Sequence, residues 1–168
     1  ATDPALRRAW RFGPGFAHGL ALSADGRLAA TGDDAGQVFV VDLDTGVIVQ
    51  QIEAHADEVW HCALSCDGRR VASCDRAGAV VKVWDARSGE LCCSLPLAGL
   101  EPNALRLTAN GTALLTANHG AGAPCLSLWA TDGGQARRDF HAPGLGTAWD
   151  VAIAGTAAVK AVLKQALN

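Results

Sequence analysis

Short apolar runs alternate with polar turn signals along this chain. Val59 to Leu64, Arg70 to Cys74, Val80 to Trp84 and Leu91 to Leu95 are each four to six residues long. Between them stand Ser65-Cys66-Asp67-Gly68, a loop containing Asp75 and Gly78, and Asp85 to Gly89. Runs of this length, rich in β-branched and aromatic residues and bounded by Gly, Asp and Ser, predict β-strands. Glycine supplies the positive φ that such turns require. The same series predicts strands at Gly19 to Leu22, Leu28 to Thr31, Val38 to Val41 and Val47 to Ile52. It does so again at Ala104 to Leu107, Ala113 to Thr116, Leu126 to Trp129 and Gln135 to Phe140. Several runs are apolar throughout rather than alternating, which implies burial on both faces.

The turns repeat. Leu22-Ser23-Ala24-Asp25-Gly26 returns as Leu64-Ser65-Cys66-Asp67-Gly68 and as Leu107-Thr108-Ala109-Asn110-Gly111. Behind it run Asp42-Leu43-Asp44-Thr45-Gly46, Asp85-Ala86-Arg87-Ser88-Gly89 and Ala130-Thr131-Asp132-Gly133-Gly134. Two turn signals in one period of roughly 40–45 residues mark one copied unit of four strands, the length of a propeller blade. Leu6 to Phe12 stands where a preceding fourth strand belongs, and Gly144 to Ile153 matches a further first strand. Ala157 to Leu167 reads either as a second strand without its turn or as a short helix, since Ala, Lys, Leu and Gln favour helix.

Composition narrows the class. The chain has 168 residues, 49% apolar and 18% charged, with net charge −3. That excludes disorder by composition, and no basic stripe is present to bind nucleic acid directly. No apolar stretch reaches membrane-spanning length, so membrane insertion is not expected. Methionine is absent, and Ala1-Thr2-Asp3-Pro4 reads as the interior of a longer protein or a processed end. Cys62, Cys74, Cys92, Cys93 and Cys125 sit in strand-like runs as small hydrophobes. With Cys66 they read as reduced thiols, so an intracellular, cytoplasmic setting is expected, with cytoskeletal and ciliary assemblies among those suiting such a module.

These units resemble the WD40 repeat family. Trp84-Asp85 matches its signature dipeptide, Val41-Asp42 and Trp129-Ala130 are half-matches, and His55 stands at its histidine position. The resemblance implies an all-β fold, an incomplete propeller arc of four-stranded antiparallel blades. Residues 1–16 would be the fourth strand of a preceding blade, 17–54, 55–98 and 99–142 three blades, and 143–168 the start of another or a helical tail. It also implies a structural hydrogen-bonded set of His55, Ser73, Asp75 and Trp84. Three units do not close a ring, so other sequence or another chain is expected to complete it.

The family likeness further implies a non-catalytic scaffold that binds other proteins within a larger complex. Its binding side would carry one end of each first strand and the loops holding Asp33, Asp34, Asp75, Arg76, Asn118 and His119. In one register of the first strands stand His18, Trp60, Asn103 and Trp149; in the next, Gly19, His61, Ala104 and Asp150. Trp and Arg anchor interfaces, which singles out Trp60, Arg76 and Trp149 as partner-binding residues. Packing between blades is the other reading of the two tryptophans. Trp84-Asp85-Ala86-Arg87 also resembles the motif by which some substrate receptors dock on cullin-4 type ubiquitin ligases. That makes Arg87 a further contact candidate, against a solvated turn residue.

Cofactor chemistry finds no motif. Asp42-Leu43-Asp44-Thr45-Gly46 starts like a calcium loop but lacks the closing Glu. His61 and Cys62 are strand neighbours that face opposite ways, and no Cys-x2-Cys pair supports zinc. No nucleophile elbow, phosphate loop or His-Glu-x-x-His is present, and Gly120-Ala121-Gly122 lacks the strand–helix context of a dinucleotide turn. No metal, cofactor or catalytic residue is expected.

Overall fold

The computed structural model of the protein describes residues 15–77, 80–119, 123–132, 137–141 and 148–151. The stretch before the first unit, Gly120 to Gly122 and the segment from Ala157 onward lie outside them.

Among the described residues, twelve strands form three four-stranded antiparallel sheets. The first sheet holds β1 (Ala17–Leu22), β2 (Leu28–Asp33), β3 (Gln37–Asp42) and β4 (Ile48–Glu53). The second holds β5 (Val59–Leu64), β6 (Arg70–Asp75), β7 (Val80–Asp85) and β8 (Leu91–Pro96). The third holds β9 (Glu101–Leu107), β10 (Ala113–His119), β11 (Leu126–Ala130) and β12 (Arg137–Phe140). Within each sheet the strands lie in chain order. This is an incomplete propeller arc of three blades.

The turn residues close these sheets by local chemistry. Ser23 Oγ donates to Asp25 Oδ1 at 2.6 Å and accepts from the Leu28 amide at 2.9 Å. Ser65, Asp67 and Arg70 repeat the arrangement at 2.6 and 3.0 Å. Thr108, Asn110 and Ala113 repeat it with a hydroxyl and an amide at 3.2 and 3.0 Å. In the second turn Asp42 Oδ1 accepts from the Asp44 and Thr45 amides, and Asp85 Oδ1 from those of Arg87 and Ser88. Those amides hold the Asp85 carboxyl below its ordinary range. Asp42 is thus the anchor of a turn, its Oδ1 engaged by the backbone and its Oδ2 by the Arg27 guanidinium at 3.0 Å.

Several strands run further than their apolar residues suggested. Asp33 and Asp75 end strands, and Asn118 and His119 lie inside β10, although all four were expected in loops. Backbone pairing carries the ladder past the last apolar side chain: Asp33 pairs with Ala17 and His119 with Glu101. The first strand of the third sheet opens at Glu101 rather than Ala104. Cys125 lies just before β11, and β4 starts at Ile48 rather than Val47.

The sheets bury their faces against one another. Val38, Val40, Cys62, Val71 and Trp84 join one cluster between the first and second sheets. Val81, Val83, Leu95, Leu105 and Leu114 join another between the second and third. Ala148 and Val151 cover the far side of the third sheet, against Leu115, Ala117 and Leu126. Strand β1 packs on β5 and β5 on β9. Backbone bonds cross the blade boundaries, from the Ala24 amide to the Cys66 carbonyl at 2.9 Å and from Asp67 to Ala109 at 3.1 Å. The leading side of the first sheet differs among the described residues. Leu20 and Leu22 are 71% and 53% exposed, whereas Cys62, Leu64, Leu105 and Leu107 at the same places are buried.

Candidate functional site

In β5, Val59 pairs with Asp75 and His61 with Cys74, so Trp60 faces no residue of β6. Such a bulge re-aims a side chain. Trp60 turns outward, 44% exposed. Its indole Nε1 donates to Glu58 Oε2 at 2.9 Å, and the Arg76 guanidinium carbon stands 5.6 Å from the ring centroid. Arg76 Nη1 lies 3.7 Å from the same Glu58 oxygen, and the Arg76 amide donates to the Glu58 carbonyl at 2.9 Å. An exposed cation–π pair contributes about 0.5–1 kcal/mol and an exposed ion pair about 0–1 kcal/mol. Together they fix the indole and guanidinium as one platform.

The third sheet repeats the bulge one blade on. Ala104 pairs with Ala117 and Pro102 with Asn118, which leaves Asn103 as the extra residue. Its Nδ2 donates to the Ala148 carbonyl at 2.9 Å, while the Ala148 amide donates to the Asn118 carbonyl at 3.3 Å. Arg106 Nη2 reaches Asp150 Oδ1 at 3.1 Å. These ties set Trp149 beside the third blade. It is 52% exposed, its ring centroid 6.3 Å from that of His119.

Trp60, Arg76 and Trp149 line one cavity of about 400 Å³. His61, Asp75, Glu101, Pro102 and Asn103 complete most of its wall. Burial, and then the nearby Arg106, hold the His61 pKa below its ordinary value. The three residues singled out from the sequence for partner contact therefore come together. Glu101 was missed. The proline at 102 masks a strand start, since proline interrupts a strand pattern, although Pro102 here occupies the strand's first pairs.

Arg87 does not join them. It sits exposed in the β7–β8 turn, at the other end of its blade from Trp60.

The hydrogen-bonded set lies beside the cavity. His55 Nε2 is 2.9 Å from Ser73 Oγ, and Trp84 Nε1 donates to that oxygen at 3.1 Å. Asp75 Oδ2 stands 3.6 Å from His55 Nδ1. The structure thus brings His55, Ser73, Asp75 and Trp84 into contact. Burial depresses the His55 pKa more than Asp75 raises it, so the ring is neutral at pH 7. The third blade carries a reduced version, Trp129 Nε1 donating to Thr116 Oγ1 at 3.3 Å. Its signal was the coincidence of Thr116 with Ser73 and of Trp129 with Trp84 in the repeat.

Among the described residues all six cysteines are free thiols, and burial pushes Cys74 up to about 12 and Cys62 upward as well. No three His, Cys, Asp or Glu side chains among the described residues gather as a metal site. No helix among them is long and apolar enough to cross a membrane.

Comparison with known proteins places these features. The family model "WD domain, G-beta repeat" (WD40) matches residues 46–85. A WD repeat-containing protein, SL1-17, from Schistosoma mansoni is 40% identical over 76 residues, 45% of this chain and 25% of that protein. Autophagy-related protein 16 from Arabidopsis thaliana is 30% identical over 80 residues, 48% of this chain and 16% of its own. The matched stretch thus spans a quarter or less of these relatives. The β-propeller domain of Cps50 (Swd1) from Myceliophteria thermophila superposes with a TM-score of 0.63 at 14% identity, over 79% of this chain and 45% of that one. Hydrazine synthase from Kuenenia stuttgartiensis superposes with a TM-score of 0.59 at 17% identity, over 75% of this chain and 35% of that one. At these identities the likeness is one of fold.

Proposed function

We propose that this chain, which matches the WD40 repeat model over residues 46–85, is a WD40-type non-catalytic interaction scaffold within a multiprotein assembly, engaging its partner at the cavity between the second and third blades. WD40 propellers are typically protein-interaction modules, and the family is generally non-catalytic. The observation that carries the proposal is the convergence of Trp60, Arg76 and Trp149 on one opening. Two tryptophans that packed between blades would be buried, whereas both present about half their surface. Rigid blades hold them in place before binding, which lowers the ordering cost of association.

The uncovered side of the first sheet belongs to the same proposal. Leu20 and Leu22 occupy the places where the next two blades bury apolar residues against a neighbour. Another blade, from other sequence of the same protein or from another chain, covers them. Burying a leucine in this way is worth about 1.5–3 kcal/mol.

The test is partner affinity of the intact protein carrying Trp60→Ala and Trp149→Ala together. Loss of interface anchors costs upward of about 2 kcal/mol, a fall in affinity of more than tenfold. Arg87→Ala serves as the counter-test, because docking on a cullin-4 type ligase through Trp84 to Arg87 makes that residue decisive. Under the scaffold reading Arg87→Ala changes affinity by less than twofold.

A further inference from the structure

The charges and rings around the cavity define what it takes. Two carboxylates, Asp75 and Glu101, line it against one guanidinium, that of Arg76. Arg76 is already engaged with Glu58, and Arg106 close by is engaged with Asp150. Of the imidazoles around it, His61 in its wall and His55 beside Asp75 are held toward their neutral forms by burial. The opening therefore carries net negative charge at neutral pH. Its rings are indoles, the aromatic faces with the strongest attraction for cations. At about 400 Å³ it lies at the small end of ligand pockets. It holds one long side chain and not a folded surface.

We propose that the cavity receives an arginine side chain from an extended segment of the protein partner, its guanidinium against an exposed indole and its fork toward Glu101. This rests on the interaction reading above and names the chemistry of the contact. Arginine suits the site better than lysine. Its guanidinium is planar, stacks on aromatic rings, is weakly hydrated and pairs with a carboxylate through two parallel N–H donors. The resident Arg76, its guanidinium carbon 5.6 Å from the Trp60 ring centroid, makes a cation–π contact within the chain itself. The small side chain of Asn103 at the bulge of the third blade, where the second blade has Trp60, opens the space. Its amide is turned away to the Ala148 carbonyl.

The test uses the intact protein labelled with 5-fluorotryptophan, with the Trp60 and Trp149 resonances assigned from Trp60→Phe and Trp149→Phe. The probes are acetylated, amidated Gly-Ser-X-Ser-Gly peptides in which X is arginine, citrulline or glutamate. Citrulline keeps the shape and removes the charge. The arginine peptide shifts both resonances and binds at least tenfold more tightly than citrulline, and the glutamate peptide shifts neither. Glu101→Gln, at an exposed position that leaves folding intact, weakens the arginine peptide severalfold and leaves citrulline unchanged. Equal binding of arginine and citrulline, or no shift with arginine, overturns the proposal. If that happens while Trp60→Ala with Trp149→Ala still cuts partner affinity, the surface assignment stands and only the arginine chemistry falls. If those substitutions leave partner affinity intact, the surface assignment itself falls.

Discussion

Ser73 is the residue on which the second blade's polar interior turns. A hydroxyl has one proton to give and can accept from two donors. Here Trp84 Nε1 donates to it, and the 2.9 Å contact with His55 Nε2 takes its proton. Asp75 beside Nδ1 selects the tautomer protonated there, so Nε2 is left as an acceptor. Ser73→Ala strands a buried indole N–H and a buried ring nitrogen, each costing about 1–3 kcal/mol. Urea unfolding will show a loss of about 2–6 kcal/mol. Ser73→Thr will cost much less, since Thr116 plays this part in the third blade. The same set makes stability depend on pH. The unfolded His55 titrates near 6.5, about its ordinary value, and burial lowers it in the fold, as it does for His61. The unfolded chain then binds more protons in the interval between the two values. Stability is complete above the unfolded value and falls as pH drops through the folded one. The melting temperature will decline from pH 7.5 to pH 5.5, and His55→Gln will reduce that decline.

At the scale of the element, the turn glycines offer a matched series. Gly26, Gly68 and Gly111 close equivalent turns at φ values of 69°, 68° and 71°. A side chain at any of them meets the same left-handed strain, about 1–2 kcal/mol. Their surroundings differ. A Cβ at Gly26 touches nothing within 4 Å, one at Gly68 meets the mobile end of Leu28 at 2.8 Å, and one at Gly111 meets Cγ and Cβ of Arg70 at 2.5 and 2.7 Å. Alanine substitutions will therefore destabilise in the order Gly26, Gly68, Gly111 by equilibrium unfolding. Any other order will break the link between blade packing and these turns. The repeat was legible because its signals are local: Ser, Asp and Gly close each turn with their own side chains. The bulges at Trp60 and Asn103 were not, because a bulge is a count of residues against a partner strand. Glu101 escaped because Pro102 interrupts the strand pattern after it, and it joins its strand only through pairing with His119. The third blade departs further. Asn118 replaces the acid of the second blade, and its Nδ2 turns to Pro124 and Ser127.

For the whole molecule, the blade interfaces are of one kind, head to tail, and such interfaces form rings when the rotation closes. The clusters on either side of the second sheet hold the blades at a fixed offset. That offset carries the bulge of one blade to the edge of the next and assembles Trp60, Arg76 and Trp149 from separate parts of the chain. The proposed partner contact lies at this end of the arc. A photoreactive benzophenone side chain in place of Ala77, which lines the cavity, tests it against one in place of Ser88, beside Arg87 in the opposite turn. In the intact protein, irradiated with its partners, a cross-linked partner polypeptide will form from position 77 and none from position 88. Cross-linking from position 88 alone would contradict it.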